Sequence, residues 1–376
     1  MSAKKALSSF VVTTVTAIVL ALFLSPFLYM IFTSLKSSAQ MSVIGSPIWP
    51  AAYPTFTMPE DATGTYTLKV NKTGKPVDMT VDMTKYAGKD FDVYLIPFPD
   101  GTTKEMVVLQ GFHKGSVLLD PKDPTSAPIA WEGFFKSQPR TWTFSPTWGN
   151  FPEMWKDIQF PQVLWNTFYY AFVTTIGTLL SCILVAYGFS RFRFPARDFL
   201  FILLISILFL PAAVTIIPTF TFWTKISTMG LPFGVGTWWP LIIPSFFANP
   251  YDVFLLRQYF MTLPKELDEA AMIDGAGPLR ILWSVIIPQS YPVIVAVAVF
   301  HIVWAWNDYF GPLIYLSTKR DLLPVSVALA YFNGIYGSRP ELIQAGALLT
   351  LIIPVILFFA AQRFFVQGIV ITGVEK

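Results

Sequence analysis

Six long apolar runs alternate with polar stretches along the 376-residue chain, at residues 10–32, 165–189, 199–220, 239–260, 292–316 and 343–366. Each can cross a hydrocarbon core as a helix, which takes about 20 residues. The pattern predicts an all-α polytopic membrane protein with six transmembrane helices. Prolines at 26, 211, 218, 240, 244, 250, 312 and 354 lie in or near the runs. Such prolines are tolerated where neighbouring helices or a cavity satisfy the freed carbonyls, so kinked helices around a pathway are expected. Lys4 and Lys5 precede the first run as in a signal peptide. The run is too long for one and no clear small-x-small cleavage pattern follows, so it is read as an anchor.

The polar segment between the first two runs is organised differently. Residues 65–70 and 77–83 alternate with period two about the turn Asn71-Lys72-Thr73-Gly74, a hairpin signature. Residues 91–96 and 105–109 flank a second turn at Pro99-Asp100-Gly101, and 115–119 offers a further strand. From Trp131 to Trp165 the chain is rich in Trp, Phe and Pro, which suits a connector at the membrane interface. The expected organisation is therefore residues 1–35, an N-terminal tail with the first transmembrane helix; 36–160, a β-rich extracytoplasmic insert with its connector; and 161–376, a core holding helices two to six. The insert suits either contact with a partner above the pore or a spacer role.

Composition places the chain in the lipid bilayer: 54% of residues are hydrophobic and 13% charged, against about 25% charged in soluble domains. A net charge of +3, with the basic residues scattered, gives no nucleic-acid footprint. Those residues inform orientation instead. Arg191, Arg193 and Arg197 between runs two and three, Arg257, Lys265 and Arg280 around the link between runs four and five, and Lys4 and Lys5 fall on one face, with Arg363 and Lys376. Lys and Arg concentrate on the cytoplasmic side, so both termini are expected there and the insert outside. Lys319, Arg320 and Arg339 run against the rule, although Asp321 and Glu341 neighbour them.

Enzyme chemistry finds no constellation. The single cysteine, Cys182, rules out an intrachain disulfide and argues against a Cys-based metal cluster, and His113 and His301 stand far apart without metal-ligand spacing. No catalytic or metal-binding residue is expected. His301 reads as a hydrogen-bonded pore or packing residue. No Gly-x4-Gly-Lys-Ser/Thr loop occurs, so an ATP-driven process needs its ATPase on another chain. The fifth run contains Trp304, Trp306, Asn307 and Asp308. These suit either a substrate pathway, where aromatic faces beside hydrogen-bonding groups grip a sugar, or an interfacial aromatic belt with Asp308 at the helix exit.

The most informative island lies at 262–288. Pro264 suits a first helical turn and the carboxylates after it suit a helix N-terminus. Gly275 and Gly277-Pro278 then offer a stop and a turn before Val285-Ile286-Ile287-Pro288. Glu269-Ala270-Ala271, three residues, Gly275, nine residues and a closing apolar-x-apolar-Pro pattern ending at Pro288 resemble the EAA loop of ABC importer permeases. Leu164-Trp165-Asn166-Thr167, the run 254–260, Trp306-Asn307-Asp308-Tyr309 and Phe365-Val366-Gln367-Gly368-Ile369 are similar to the maltose and glycerol-phosphate permease type.

The resemblance implies the type I importer permease fold and a transport subunit for a sugar, oligosaccharide or related polyol. Glu269, Ala270, Ala271, Asp274, Gly275 and Pro288 would couple it to ATPase subunits. It further implies a second homologous permease subunit, a dimer of cytoplasmic ATPases, an extracytoplasmic substrate-binding protein, a prokaryotic inner-membrane location, no cofactor on this chain, and ATP with Mg on the partners. The tail from Gly373 to Lys376 would also touch the ATPases. The long insert departs from that type. The other readings are an ABC permease for a non-sugar solute, a gradient-driven secondary transporter, which has no use for the loop, and an anchored sensor, which needs fewer spans.

Overall fold

The computed structural model describes residues 3–334 and 337–370, with side chains from 9 to 363 apart from residue 212 and those at 335 and 336. The tail at 373–376 lies outside the described residues. The chain forms two compact units, residues 1–150 and 151–376.

The first unit opens with helix α1, Ala3–Ser34, of which Ser9–Ser34 is apolar enough to cross a membrane. Its side chains from Ser9 to Tyr29 are exposed, the condition of a helix whose solvent is lipid. Beyond it, Gln40 ties down the chain. Its amide donates to the carbonyls of Pro47 and Trp49, and its Oε1 accepts from the Ala51 N–H. Asn150 Nδ2 donates to the carbonyls of Ser34 and Lys36 at 2.8 and 2.7 Å, which closes the unit on itself.

The strands that follow are β1 (Ala51–Ala52), β2 (Thr55–Thr57), β3 (Thr65–Asn71), β4 (Pro76–Asp82), β5 (Asp90–Pro97), β6 (Thr103–Gly111), β7 (Gly115–Leu119), β8 (Ile129–Glu132) and β9 (Thr143–Phe144). A five-stranded antiparallel sheet runs β2-β5-β6-β7-β8, β3 and β4 form a hairpin, and β1 pairs with β9. The hairpin lies where alternation predicts it, its turn closed by Asn71 Oδ1 accepting the Gly74 N–H at 2.8 Å. Val70 and Val81 of the hairpin pack with Val93, Val107, Val117 and Leu119 of the sheet. Tyr94, Ile96, Met106 and Leu118 form a second cluster. With apolar groups on both faces, every residue of β7 is buried.

The second unit is helical. Helix α2 (Asn150–Asp157) leads to α3 (Phe160–Arg191), the long central helix, with fourteen buried residues. Then come α4 (Arg197–Ser206), α5 (Ala212–Thr228), α6 (Pro250–Thr262), α7 (Glu266–Ile273), α8 (Tyr291–Asn307), α9 (Phe310–Leu316) and α10 (Pro340–Val370). Among the described residues three helices are long and apolar enough to cross a membrane, and up to five spans result if each of two bent pairs counts as one. Several of the apolar runs are broken helices, as their prolines lead one to expect. The third breaks at Pro211, which cannot continue a helical hydrogen-bond ladder. The fourth breaks into a short helix at Trp239–Ile242, a tight turn at Ile243–Phe246 and α6. There Gly177 of α3 leaves room for the Phe246 ring and Ser245 Oγ. A Cβ on Gly177 would meet them at 2.7 and 2.8 Å, so the broken segment needs a small residue on the helix it packs against. The fifth stops at Asn307 and resumes as α9.

Candidate coupling loop and membrane cavity

Helix α7 carries three carboxylates, Glu266, Asp268 and Glu269, in its first turn, where they complement the positive end of the helix. Its end is a Schellman motif. The Gly275 N–H donates to the Met272 carbonyl at 3.0 Å, and the Ala276 N–H to the Ala271 carbonyl at 2.9 Å. Gly275 takes φ +75° with open space where a Cβ would stand, so backbone conformation rather than crowding calls for glycine. Ala271 and Ala276 pack on the core formed by Ile183, Ala186, Leu256, Phe260 and Leu282. Glu269, Ala270 and Asp274 face out. So do Met272, Ile273, Leu279 and Trp283, with Ile273 87% exposed.

The loop is tied to the end of α3. Arg191 Nε lies 3.0 Å from Asp268 Oδ2, with the two side chains 6% and 13% exposed. Arg191 Nη2 donates to the Leu263 carbonyl at 3.2 Å, and Tyr187 Oη to that of Pro278 at 3.1 Å. The Arg191–Asp268 contact is an ion pair without an aligned hydrogen bond, because Arg191 Nε has no hydrogen-bond partner among the described residues. Burial pushes the Asp268 carboxyl above its usual range, against the pull of the Arg191 guanidinium. Past the turn, Pro278–Ile281 and a π-helical turn at Leu282–Ile286 lead to Pro288, and the chain bends by 82° into α8. Pro288 and Pro292 each remove a backbone donor around that bend.

The four aromatic and polar residues of the fifth run are placed apart. Trp304, 60% exposed, lines a cavity of about 300 Å³ with Asn249, Tyr251, Asp252, Phe300 and His301. Trp306 is buried, its ring edge-on to Phe168 at 5.2 Å. Asn307 donates to the Val303 carbonyl of its own helix. Asp308 accepts from Tyr170 Oη at 2.7 Å and from the Gly311 N–H at 3.2 Å, which joins α3, α8 and the start of α9. His301 Nε2 lies 3.4 Å from Thr178 Oγ1, a hydrogen-bonded histidine at the cavity wall. Sequence reasoning missed the pairing of Arg191 with Asp268 and the cavity position of Asp252. The available signal for the latter was an acid inside an apolar run.

Residues 175–371 match the family model described as "Binding-protein-dependent transport system inner membrane component". The chain is 34% identical over 228 residues to the osmoprotective compounds uptake permease protein GgtD of Synechocystis sp., covering 61% of this chain and 75% of that one. It is 34% identical over 238 residues to the sn-glycerol-3-phosphate transport system permease protein UgpE of Yersinia pestis, covering 59% and 79%. It is 30% identical to the alpha-glucoside transport system permease protein AglG of Rhizobium meliloti, over 56% of this chain and 55% of that one. Among solved structures, a chain of a bacterial ABC transporter that imports the acidic polysaccharide alginate superposes with a TM-score of 0.61 at 17% identity, covering 97% of this chain and 99% of that one, a likeness of fold. With more than half of its length in the family match, the chain belongs to the binding-protein-dependent transport system inner membrane components.

Proposed function

We propose that the chain is one permease subunit of an ATP-driven importer for a sugar, oligosaccharide or related polyol, the solute class shared by several of its relatives. It pairs with a second homologous permease, crosses the inner membrane six times counting broken helices, and keeps both termini in the cytoplasm. The β-rich insert lies outside, where it contacts a substrate-binding protein. ATP and Mg belong to a dimer of ATPase subunits.

One observation carries this reading: α7 presents Glu269, Ala270 and Asp274 with an exposed apolar patch, while its opposite side is fixed to the core through Ala271 and to the end of α3 through Asp268. Small Ala270 allows a partner surface to approach closely, Glu269 offers a carboxylate to a basic group, and Gly275 and Pro288 set the turns that return the chain to the membrane. When an ATPase dimer closes, a helix seated in it is carried along. Because α7 is joined to α6 before it and to α8 after it, those helices tilt too, and the pathway changes the side on which it opens. Trp304 serves that pathway.

Uptake by membrane vesicles holding the complete assembly tests the proposal. Uptake that needs ATP and is lost when the ATPase subunits are omitted supports an importer. Uptake that persists without them and collapses with the ion gradient supports a secondary transporter instead.

A further inference from the structure

The cavity beside Trp304 holds a carboxylate that the coupling mechanism does not use. Asp252, at the start of α6, is 5% exposed. Its backbone N–H is capped by Asn249 Oδ1 at 3.4 Å, but no hydrogen bond or ion pair reaches its carboxylate among the described residues. A buried charge without a partner is costly in water-poor surroundings and more so within a membrane helix, where such groups face a cavity or a ligand. His301, 8% exposed, lines the same cavity, and its second ring nitrogen has no partner among the described residues. The indole of Trp304 lies 5.5 Å from the imidazole, centroid to centroid. Thr178, which fixes His301, sits near the middle of the 32-residue α3, about 20 Å or more from either end of the helix. The cavity is therefore level with the middle of α3.

We infer that Asp252, His301 and Trp304 form a solute-binding site for an uncharged polyhydroxylated molecule. The inference rests on the importer reading for its place in transport but not for its chemistry. Solute hydroxyls donate to the Asp252 carboxylate and bond to the free nitrogen of His301, while the C–H face of a sugar ring lies on the indole. Among the described residues neither Lys nor Arg lines the cavity. A phosphate or uronate therefore meets a like charge with nothing in the cavity lining to neutralise it, an unfavourable juxtaposition. Anionic solutes are excluded on this basis.

The test needs no ATP. In the full chain assembled with its partner permease, Cys182→Ser removes the native thiol and Tyr251→Cys places a reporter on the cavity wall. Labelling by a hydrophilic maleimide is followed with glycerol, glucose, maltose and maltotriose as uncharged probes, and sn-glycerol 3-phosphate and glucuronate as anions. At least one uncharged probe is expected to slow labelling severalfold while neither anion does. Adding Asp252→Asn is expected to remove most of that discrimination, the anions then slowing labelling to a similar degree. Should this triple variant fail to assemble, His301→Gln in the reporter background is expected to weaken protection by the same probe severalfold. Equal protection by anions, absence of protection by every uncharged probe, or unchanged selectivity in Asp252→Asn overturns the inference. Protection without ATP-driven uptake would instead retire the importer reading and leave the site standing.

Discussion

Arg191 at the end of α3 and Asp268 in the first turn of α7 form an ion pair at 3.0 Å that is almost closed to solvent. It joins two segments 77 positions apart in the chain, one in the Arg-rich link after the second span and one next to Glu269. Breaking a buried pair from one side leaves the other charge uncompensated, which costs about 3–5 kcal/mol. Arg191→Met and Asp268→Leu are each expected to lower the thermal stability of the assembly and the solute transported per ATP hydrolysed. The double variant is expected to lose less stability than the sum of the two. Strict additivity would show that the contact has no energetic coupling.

Gly275 supplies a left-handed backbone conformation in open space. Gly275→Asn is expected to be tolerated, Gly275→Ala to cost about 1 kcal/mol, and Gly275→Val to cost more and reduce uptake. Thermal unfolding of the three variants provides the check. An equal effect for all three points to the space around residue 275 rather than its backbone angle.

Tyr170 donates to Asp308 at 2.7 Å. Tyr170→Phe leaves the aspartate with one fewer donor at little change in shape, with an expected loss of about 1–3 kcal/mol. Solute selectivity is expected to stay as in the parent, since these two residues do not line the Trp304 cavity. Altered selectivity in Tyr170→Phe would move Asp308 into the pathway.

Two turns of the insert hold their acids below the usual carboxylate range. Asp82 accepts from Thr84, and Asp100 from Thr102, through side chain and backbone in each case. A carboxyl lowered in the folded state contributes stability above its unfolded pKa, about 3.9. The contribution is lost as pH falls through the lowered value. Proteolytic cleavage at residues 82–84 and 100–102 of the intact protein is expected to stay flat at neutral pH and to rise only under acid conditions. Thr84→Val and Thr102→Val bring that rise to higher pH.

Local chemistry made the loop at 262–288 legible in the sequence: Pro264 just before α7, the carboxylates of its first turn and Gly275 just past its end are near neighbours along the chain, so their spacing alone locates the helix and its stop. The β hairpin was readable for the same reason, through alternation and the Asn71–Gly74 turn. Breaks in the apolar runs were legible only in part: Pro211 and the prolines at 240, 244 and 250 mark where they fall, but not how the broken segments pack. Phe246 and Ser245 settle into a notch that Gly177 opens on a different helix. The cavity was hidden for a related reason. Asp252 and His301 are 49 positions apart and share a wall only once α6 and α8 both pack on α3. Arg191 was visible as a topological charge, whereas its partner depends on how the link between α6 and α7 folds back.

The central claim is that α7 transmits ATPase closure to the membrane helices, and solute-stimulated ATP hydrolysis by the reconstituted assembly tests it most directly. With Glu269→Lys, stimulation by solute and binding protein is expected to vanish and the ATPase subunits to dissociate on purification, while the permease pair stays folded. Full stimulation and normal ATPase retention in Glu269→Lys would contradict the claim.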